Sequence, residues 1–356
     1  KKGNFMGNPL DKPWTNKQRI SFVLYMVFLL VSVWATGESI ARSTQLPVLA
    51  CYAIGLAALL GASFSLTLIK KSFSSKYVPN RSVLIVVGIV GFLFLWLVSL
   101  TSNTHNFYYV MTIDKLRQKE LNTVKNELEL VKDKSIFAFN TAKNEFSNKI
   151  ESEIKSLKNE IMNPGLPGHG GRTDSIITTI ETMLQSNIQR ITPTGSDRRS
   201  LLQHADNMAE IIRGQTDNKL LLIDDRINEL NKFIEQKEYN IYLTDLENII
   251  KNYLTTDEMP LKIILRNGYS FYNKCYDFIG ELFKIPFLKE NIKLVISKLP
   301  EVPMSIENEN IATSWRKFID GKYDALDFYL ALIWAITIDL ACFILFYFGV
   351  LPKDED

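Results

Sequence analysis

Four stretches of the chain are apolar almost without interruption, and between the third and the fourth the pattern turns amphipathic. The apolar stretches are Ile20 to Thr36, Leu46 to Ile69, Ser82 to Leu100 and Leu326 to Leu351. A bilayer core of roughly 30 Å takes about 20 helical residues at 1.5 Å each, so each stretch has the length of a membrane-spanning helix. The second is rich in Gly, Ala and Ser, which let helices approach closely in lipid. No A-x-A-like cleavage site follows the first, so it is expected to stay as an anchor.

From Asn106 the third apolar stretch passes into a long amphipathic run. Leu121, Val124, Leu128, Val131, Phe139, Ala142, Phe146, Ile150, Ile154, Leu157 and Ile161 recur mostly at steps of three or four, one face of a helix. No Pro or Gly falls between Thr101 and Met162. The pattern predicts a rod over 106–162, about 85 Å long if straight. Its stripe needs a partner helix, from the same chain or a second copy, which makes a coiled coil one expectation. Residues 163–171 hold two prolines and four glycines and read as a turn. The turn lacks the Lys-Ser/Thr of a P-loop.

Return helices are expected over 173–254. One runs from Thr173 to Ile191 under a cap from Asp174 or Thr173, and another runs from Asp197 to about Lys237 with Gly214 as a local break. An aromatic-rich bundle follows over 260–299, split at Pro286, and 300–309 reads as a linker. Period-two alternation is scarce, so little sheet is expected. The fold class is all-α: a polytopic membrane protein with four transmembrane helices (20–36, 46–69, 82–100 and 326–351) and a large extracytoplasmic helical domain, 101–325, between the third and fourth.

Charge sets the expected orientation. Lys1, Lys2, Lys12, Lys17 and Arg19 precede the first apolar stretch, and Lys70, Lys71, Lys76 and Arg81 lie between the second and third. The loop between the first and second holds only Arg42, beside Glu38. The positive-inside rule puts residues 1–19, the second loop and the tail 352–356 in the cytoplasm, and 101–325 outside it. Cys275 is alone in the outer domain, and that domain has no N-x-S/T sequon, which favours a bacterial inner membrane facing a periplasm. Lys and Arg number 41 against 39 Asp and Glu, which excludes a strongly basic nucleic-acid binder.

Chemistry is sparse. His105, His169 and His204 lie in different elements, no Cys/His pair has metal-ligand spacing, and no nucleophile elbow is present. No catalytic residue, metal or cofactor is expected. Asp339 stands out, near the centre of the last apolar stretch. A charged Asp there costs about 2.5–3.5 kcal/mol on the lenient insertion scale, so protonation, a partner or a water-filled route is needed. Ser63, Ser65 and Thr67 of the second stretch or Ser99 of the third are the expected partners. Asp327 lies near the outer interface. Asn103, His105 and Asn106 are candidates for a pore mouth, and Trp34, Trp96, Tyr108 and Tyr109 for an interfacial belt.

The expected function is a non-enzymatic membrane sensor or assembly scaffold, homo-oligomeric, embedded in the lipid bilayer and coupled to a membrane or cytoplasmic partner. The alternative is an ion- or proton-conducting subunit using Asp339. Its layout is similar to stator-type proton channels in placing an Asp within a membrane helix, and the likeness is one of layout only. A membrane-bound enzyme is the third reading.

Overall fold

Every regular element is helical among the residues that the computed structural model describes, namely 15–74, 80–163, 165, 168, 170–288, 296–322 and 325–350. Lys1, Lys2, Lys12, Lys76, most of the turn around Pro164 and the tail 352–356 lie outside them. The helices are α1 (Asn16–Ser43), α2 (Val48–Ser74), α3 (Arg81–Ile161), α4 (Gly171–Leu184), α5 (Arg198–Ile234), α6 (Lys237–Lys251), α7 (Glu258–Leu282), α8 (Met304–Glu307), α9 (Ile311–Ile319) and α10 (Ala325–Leu345). Among the described residues four helices are long and apolar enough to cross a membrane: Asn16–Ser43, Val48–Phe73, Arg81–Ile161 and Ala325–Gly349. The chain divides into two compact units, Lys1–Gln118 with Met304–Asp356, and Lys119–Pro303. The third apolar stretch and the rod are one unbroken helix of 81 residues, α3, which contributes to both units.

In the first unit the chain starts α1 with a capping box, in which Thr15 and Gln18 satisfy each other's backbone N–H groups. The helices then alternate in direction. Tyr25 meets Ser63 and Thr36 meets Gly55, so α1 and α2 are antiparallel. A Cβ on Gly88 would stand 3.2 Å from the Ser65 carbonyl oxygen, and one on Gly61 2.8 Å from Leu95, so α2 and α3 are antiparallel and in close approach. Phe92 meets Phe343, Tyr108 meets Phe328, and Gly349 abuts Ser21, so α10 runs against both α1 and α3. Large apolar side chains such as Leu49, Phe64, Phe94 and Trp334 point outward from this bundle. A contiguous apolar exterior of that kind is foreign to a water-facing surface.

The second unit packs on the amphipathic half of α3. All eleven positions of the stripe from Leu121 to Ile161 are buried, against helices of the same chain. Helix α5 runs antiparallel to α3, paired through Lys158–Asp206, Arg213–Glu151 and Lys143–Asp224. Helix α7 runs parallel to α3, with Gly268 against Val124 and, just past its end, Phe283 stacked on Phe139 at 4.2 Å and Phe287 tilted against Phe146 at 5.0 Å.

Local expectations shift in four places. Helix α4 starts at Gly171 and is capped by the Gly170 backbone, without a side-chain cap; Thr173 instead donates to the Gly168 carbonyl. It stops at Leu184, short of Ile191, because Gln185 takes a left-handed conformation at φ 50°. Gly214 does not break α5. The expected linker 300–309 contains the short helix α8.

Burial leaves Tyr239, Tyr269 and Tyr272 as phenols well beyond their usual range, with Glu120 beside Tyr269 and Glu127 beside Tyr272 adding to the effect. The folded chain therefore keeps protons that the unfolded chain releases above pH 10, and stability falls as pH rises past that point. Thermal unfolding between pH 8 and pH 11.5, followed by circular dichroism, should show this decline, and Tyr→Phe at the three positions should flatten it. A wild-type profile with no decline would contradict the burial.

Candidate functional site

The site begins as a polar stripe on an otherwise apolar helix. Ser32, Thr36, Ser39 and Ser43 of α1 are spaced four, three and four residues apart and so share one face. Ser99, Asn103 and Asn106 of α3 keep the same rhythm. The two stripes face each other in parallel. Ser32 lies 3.2 Å from Ser99, Thr36 donates to Asn103 Oδ1 at 2.9 Å, Ser39 lies 2.7 Å from His105 Nδ1, and Arg42 donates to Asn106 Oδ1 at 2.5 Å. Ser32, Thr36, Ser39, Asn103, His105 and Asn106 are fully buried.

Asp339 of α10 completes this ladder and is itself 0% exposed. Its Oδ1 accepts from Ser32 at 2.7 Å, from Asn103 Nδ2 at 2.9 Å and from Ser99 at 3.3 Å. Donors from two helices thus converge on one oxygen of a third. Asn103 has a fixed orientation: its nitrogen faces the carboxylate and its oxygen receives Thr36, whereas the flipped amide would set two acceptors against each other. Oδ2 of Asp339 is buried with no hydrogen-bond partner among the described residues. Hydrogen bonds to a charged group contribute about 1.5–3 kcal/mol each, enough in sum to offset the insertion cost of a single Asp.

Of the partners expected for Asp339, Ser99 is present and the three residues of α2 are not. Ser63 pairs with the Tyr25 hydroxyl at 3.4 Å, while Ser65 and Thr67 turn back to the carbonyls of Gly61 and Ser63. The reason is geometric: α10 presents Asp339 to the groove between α1 and α3, not to α2. Ser32 and Asn103 fill the vacated roles. The signal for Ser32 was the polar stripe on α1, which becomes meaningful only once α1 and α3 are known to face each other. Asp327 lies half-buried in the first turn of α10, where a helix N-terminus favours a carboxylate.

The residues suggested for a pore mouth are sealed inside the protein. His105 uses both ring nitrogens. Nε2 donates to the Asn308 carbonyl at 2.8 Å, which leaves Nδ1 to accept from Ser39. The segment holding α8 and α9 closes this end of the bundle: Ser43 accepts from the Ile311 N–H at 2.9 Å and Trp315 donates to the Thr101 carbonyl at 3.2 Å. Phe318 stacks on Phe328 at 4.0 Å. Tyr108 and Tyr109, expected at an interfacial belt, are buried here. Tyr108 packs on Phe328; the Arg42 guanidinium lies 4.2 Å from the centre of the Tyr109 ring, and Arg117 donates to the Tyr109 hydroxyl at 2.8 Å. Trp34 is exposed and Trp96 half-buried.

Among the described residues no group of three or more His, Cys, Asp or Glu side chains is placed to hold a metal ion. No family model, curated protein or solved structure matches the chain.

Asn103→Ala and Asp339→Asn should each lower the unfolding temperature in detergent. Because they act on one shared hydrogen bond, the double variant should lose less than the two single losses added together. Polar pairs in membrane proteins average about 0.6 kcal/mol in such cycles. A coupling above about 1 kcal/mol is expected here, and strict additivity would show that the two side chains do not cooperate.

Proposed function

We propose that the chain is a non-enzymatic integral membrane protein, a sensor or assembly scaffold, acting as a homo-oligomer with a membrane or cytoplasmic partner. In this reading it sits in a bacterial inner membrane, with both ends in the cytoplasm and the helical unit 119–303 in the periplasm. The observation that carries it is the Asp339 lock, in which one carboxylate gathers donors from α1 and α3 onto α10. A side chain so placed fixes how three apolar helices pack, and repacking of those helices is the means by which a protein without a cytoplasmic domain in this stretch of sequence would signal. The unbroken α3 supports the same reading, since one helix serves both the apolar bundle and the helical unit. The outward apolar side chains of the bundle and its alternating helix directions support a four-span topology.

The second reading is ion or proton conduction through Asp339, and its specific support is the unpartnered Oδ2. Against it stands the chemistry of the ladder. A proton wire needs groups that accept and release protons in turn; the Ser32 and Ser99 hydroxyls can do so, but the next rung after them is the Asn103 amide, which does neither readily. An enzyme is the third reading.

Proteoliposomes separate the first two readings. Wild-type protein should pass protons and sodium no faster than empty vesicles, and Asp339→Asn should keep the copy number measured by native mass. Flux in the wild type that disappears in Asp339→Asn would establish conduction. Topology has its own check. Single cysteines at Lys71 and Ser156, both exposed positions, should react with an impermeant maleimide from opposite sides of the membrane, because Cys51, Cys275 and Cys342 are buried and burial pushes the Cys275 thiol up to about 12. Labelling of both from one side would exclude the proposed topology.

A further inference from the structure

Helices α6 and α7 lie side by side in opposite directions and leave a groove between them. Tyr242 stacks on Phe271 at 4.8 Å with the rings nearly parallel, and Tyr239 meets the same Phe271 at 6.1 Å. A Cβ on Gly268 would stand 3.9 Å from Leu246, so residues later in α6 meet residues earlier in α7. Beside Phe271 the small side chain of Ser270 leaves room next to Ile241, and the groove opens there with a volume of about 390 Å³. That lies within the range of small-molecule sites. Both helices belong to the same unit, so the groove is complete within it. Its floor is tied to α3: Phe271 packs on Tyr239, whose hydroxyl donates to the Leu128 carbonyl.

The two ends of the groove differ in charge. The antiparallel pairing sets Glu238, at the start of α6, across from Lys274, well along α7, and both line the groove. Glu238 comes four residues before Tyr242 and Lys274 three after Phe271, so each shares a helix face with one of the rings. Both are exposed, and among the described residues neither has an ion-pair partner. At the other end the Tyr242 hydroxyl is hydrogen-bonded to Asn267, and that part of the lining carries no charge. Asp245 and Arg266 lie beyond it, outside the lining. Between the ends stand Ile241, 47% exposed, and the Phe271 ring. A simple anion in this groove would meet Glu238, and a simple cation would meet Lys274. A neutral apolar occupant would leave both charges unanswered. An occupant with an ammonium and a carboxylate at one end and an apolar remainder suits every part of the lining.

We propose that the α6–α7 groove binds a free α-amino acid with an apolar side chain. Its ammonium meets Glu238, its carboxylate meets Lys274, and its side chain lies along Ile241 and the Phe271 ring. This names a ligand class for the sensor reading, and it rests on that reading only for what binding brings about. The test is calorimetric titration of the full chain in detergent with L-phenylalanine and L-leucine. Phenethylamine and 3-phenylpropionate, which each lack one of the two charges, serve as comparisons. L-phenylalanine or L-leucine should bind, and Glu238→Gln and Lys274→Gln should each weaken binding by about tenfold or more, the weight of one charge-assisted hydrogen bond. Both side chains are exposed, so the variants should keep the wild-type unfolding temperature without ligand. No binding of either amino acid at millimolar concentration overturns the proposal. So does binding that both variants leave unchanged, or that phenethylamine or 3-phenylpropionate matches. Amide hydrogen exchange then tells the two readings apart. Binding that slows exchange in α6 and α7 but leaves residues 16–118 unchanged keeps the site and removes the sensor reading.

Discussion

A carboxylate surrounded by apolar helices has to be met by donors, and the first unit is arranged around that requirement. Asp339 is 0% exposed, so α1 and α3 must bring hydroxyl and amide groups to within about 3 Å. Their approach to α10 fixes the depth of Asp339 between them. It also sets the register of the rungs above, from Thr36 with Asn103 to Arg42 with Asn106. Helix α2 takes no part in this ladder and closes on α3 separately, through Gly61 and Gly88. Apolar packing alone would not set that register, because leucines and phenylalanines slide past one another at little cost and lipid offers them equal contact.

The second unit obeys a different rule. Its helices are apolar on one face only, so burial of the α3 stripe provides the driving force and the flanking charges contribute modestly. Pairs such as Arg213–Glu151 are half-exposed and contribute about 0.2–1 kcal/mol each. Stacked rings, Phe139 on Phe283 and Phe233 on Phe278, supply shape specificity where the polar ladder supplies it in the first unit. Helix α3 meets both demands in succession: apolar all round from Ser82 to Leu100, then apolar on a single face from Leu121 onward.

Legibility in the sequence follows the same division. Every position that periodicity assigns to the α3 stripe is buried, because one-sided burial leaves a one-sided pattern, while Ser135 and Ala138 are buried with them and, being small or polar, gave no signal. Periodicity also identified the apolar stretches and the isolation of Asp339. It could not say which helix Asp339 faces. Hydroxyls occur on all the neighbouring helices, and a pattern along one helix carries no information about azimuth relative to another. Ser63, Ser65 and Thr67 were as plausible as Ser99 on spacing alone, and Ser32 was overlooked because a lone serine in an apolar run resembles packing. Tyr108 and Tyr109 were misplaced for a related reason. An aromatic residue at the end of an apolar stretch suits a lipid interface equally well as it suits the underside of a covering segment, and the covering helices α8 and α9 are too short and too mixed in composition to announce themselves.

The rhythm of the polar stripe on α1 gives the chain a strict phase. Each residue turns a helix by about 100°, so one residue gained or lost between Ser32 and Arg42 would swing every later rung away from α3. Substitution within this stretch can be graded, from a methyl lost to a hydroxyl removed, but a change of length cannot. Variation in length should therefore gather where no ladder counts residues, as between Leu184 and Arg198, and α1 should keep its spacing even where its apolar faces drift.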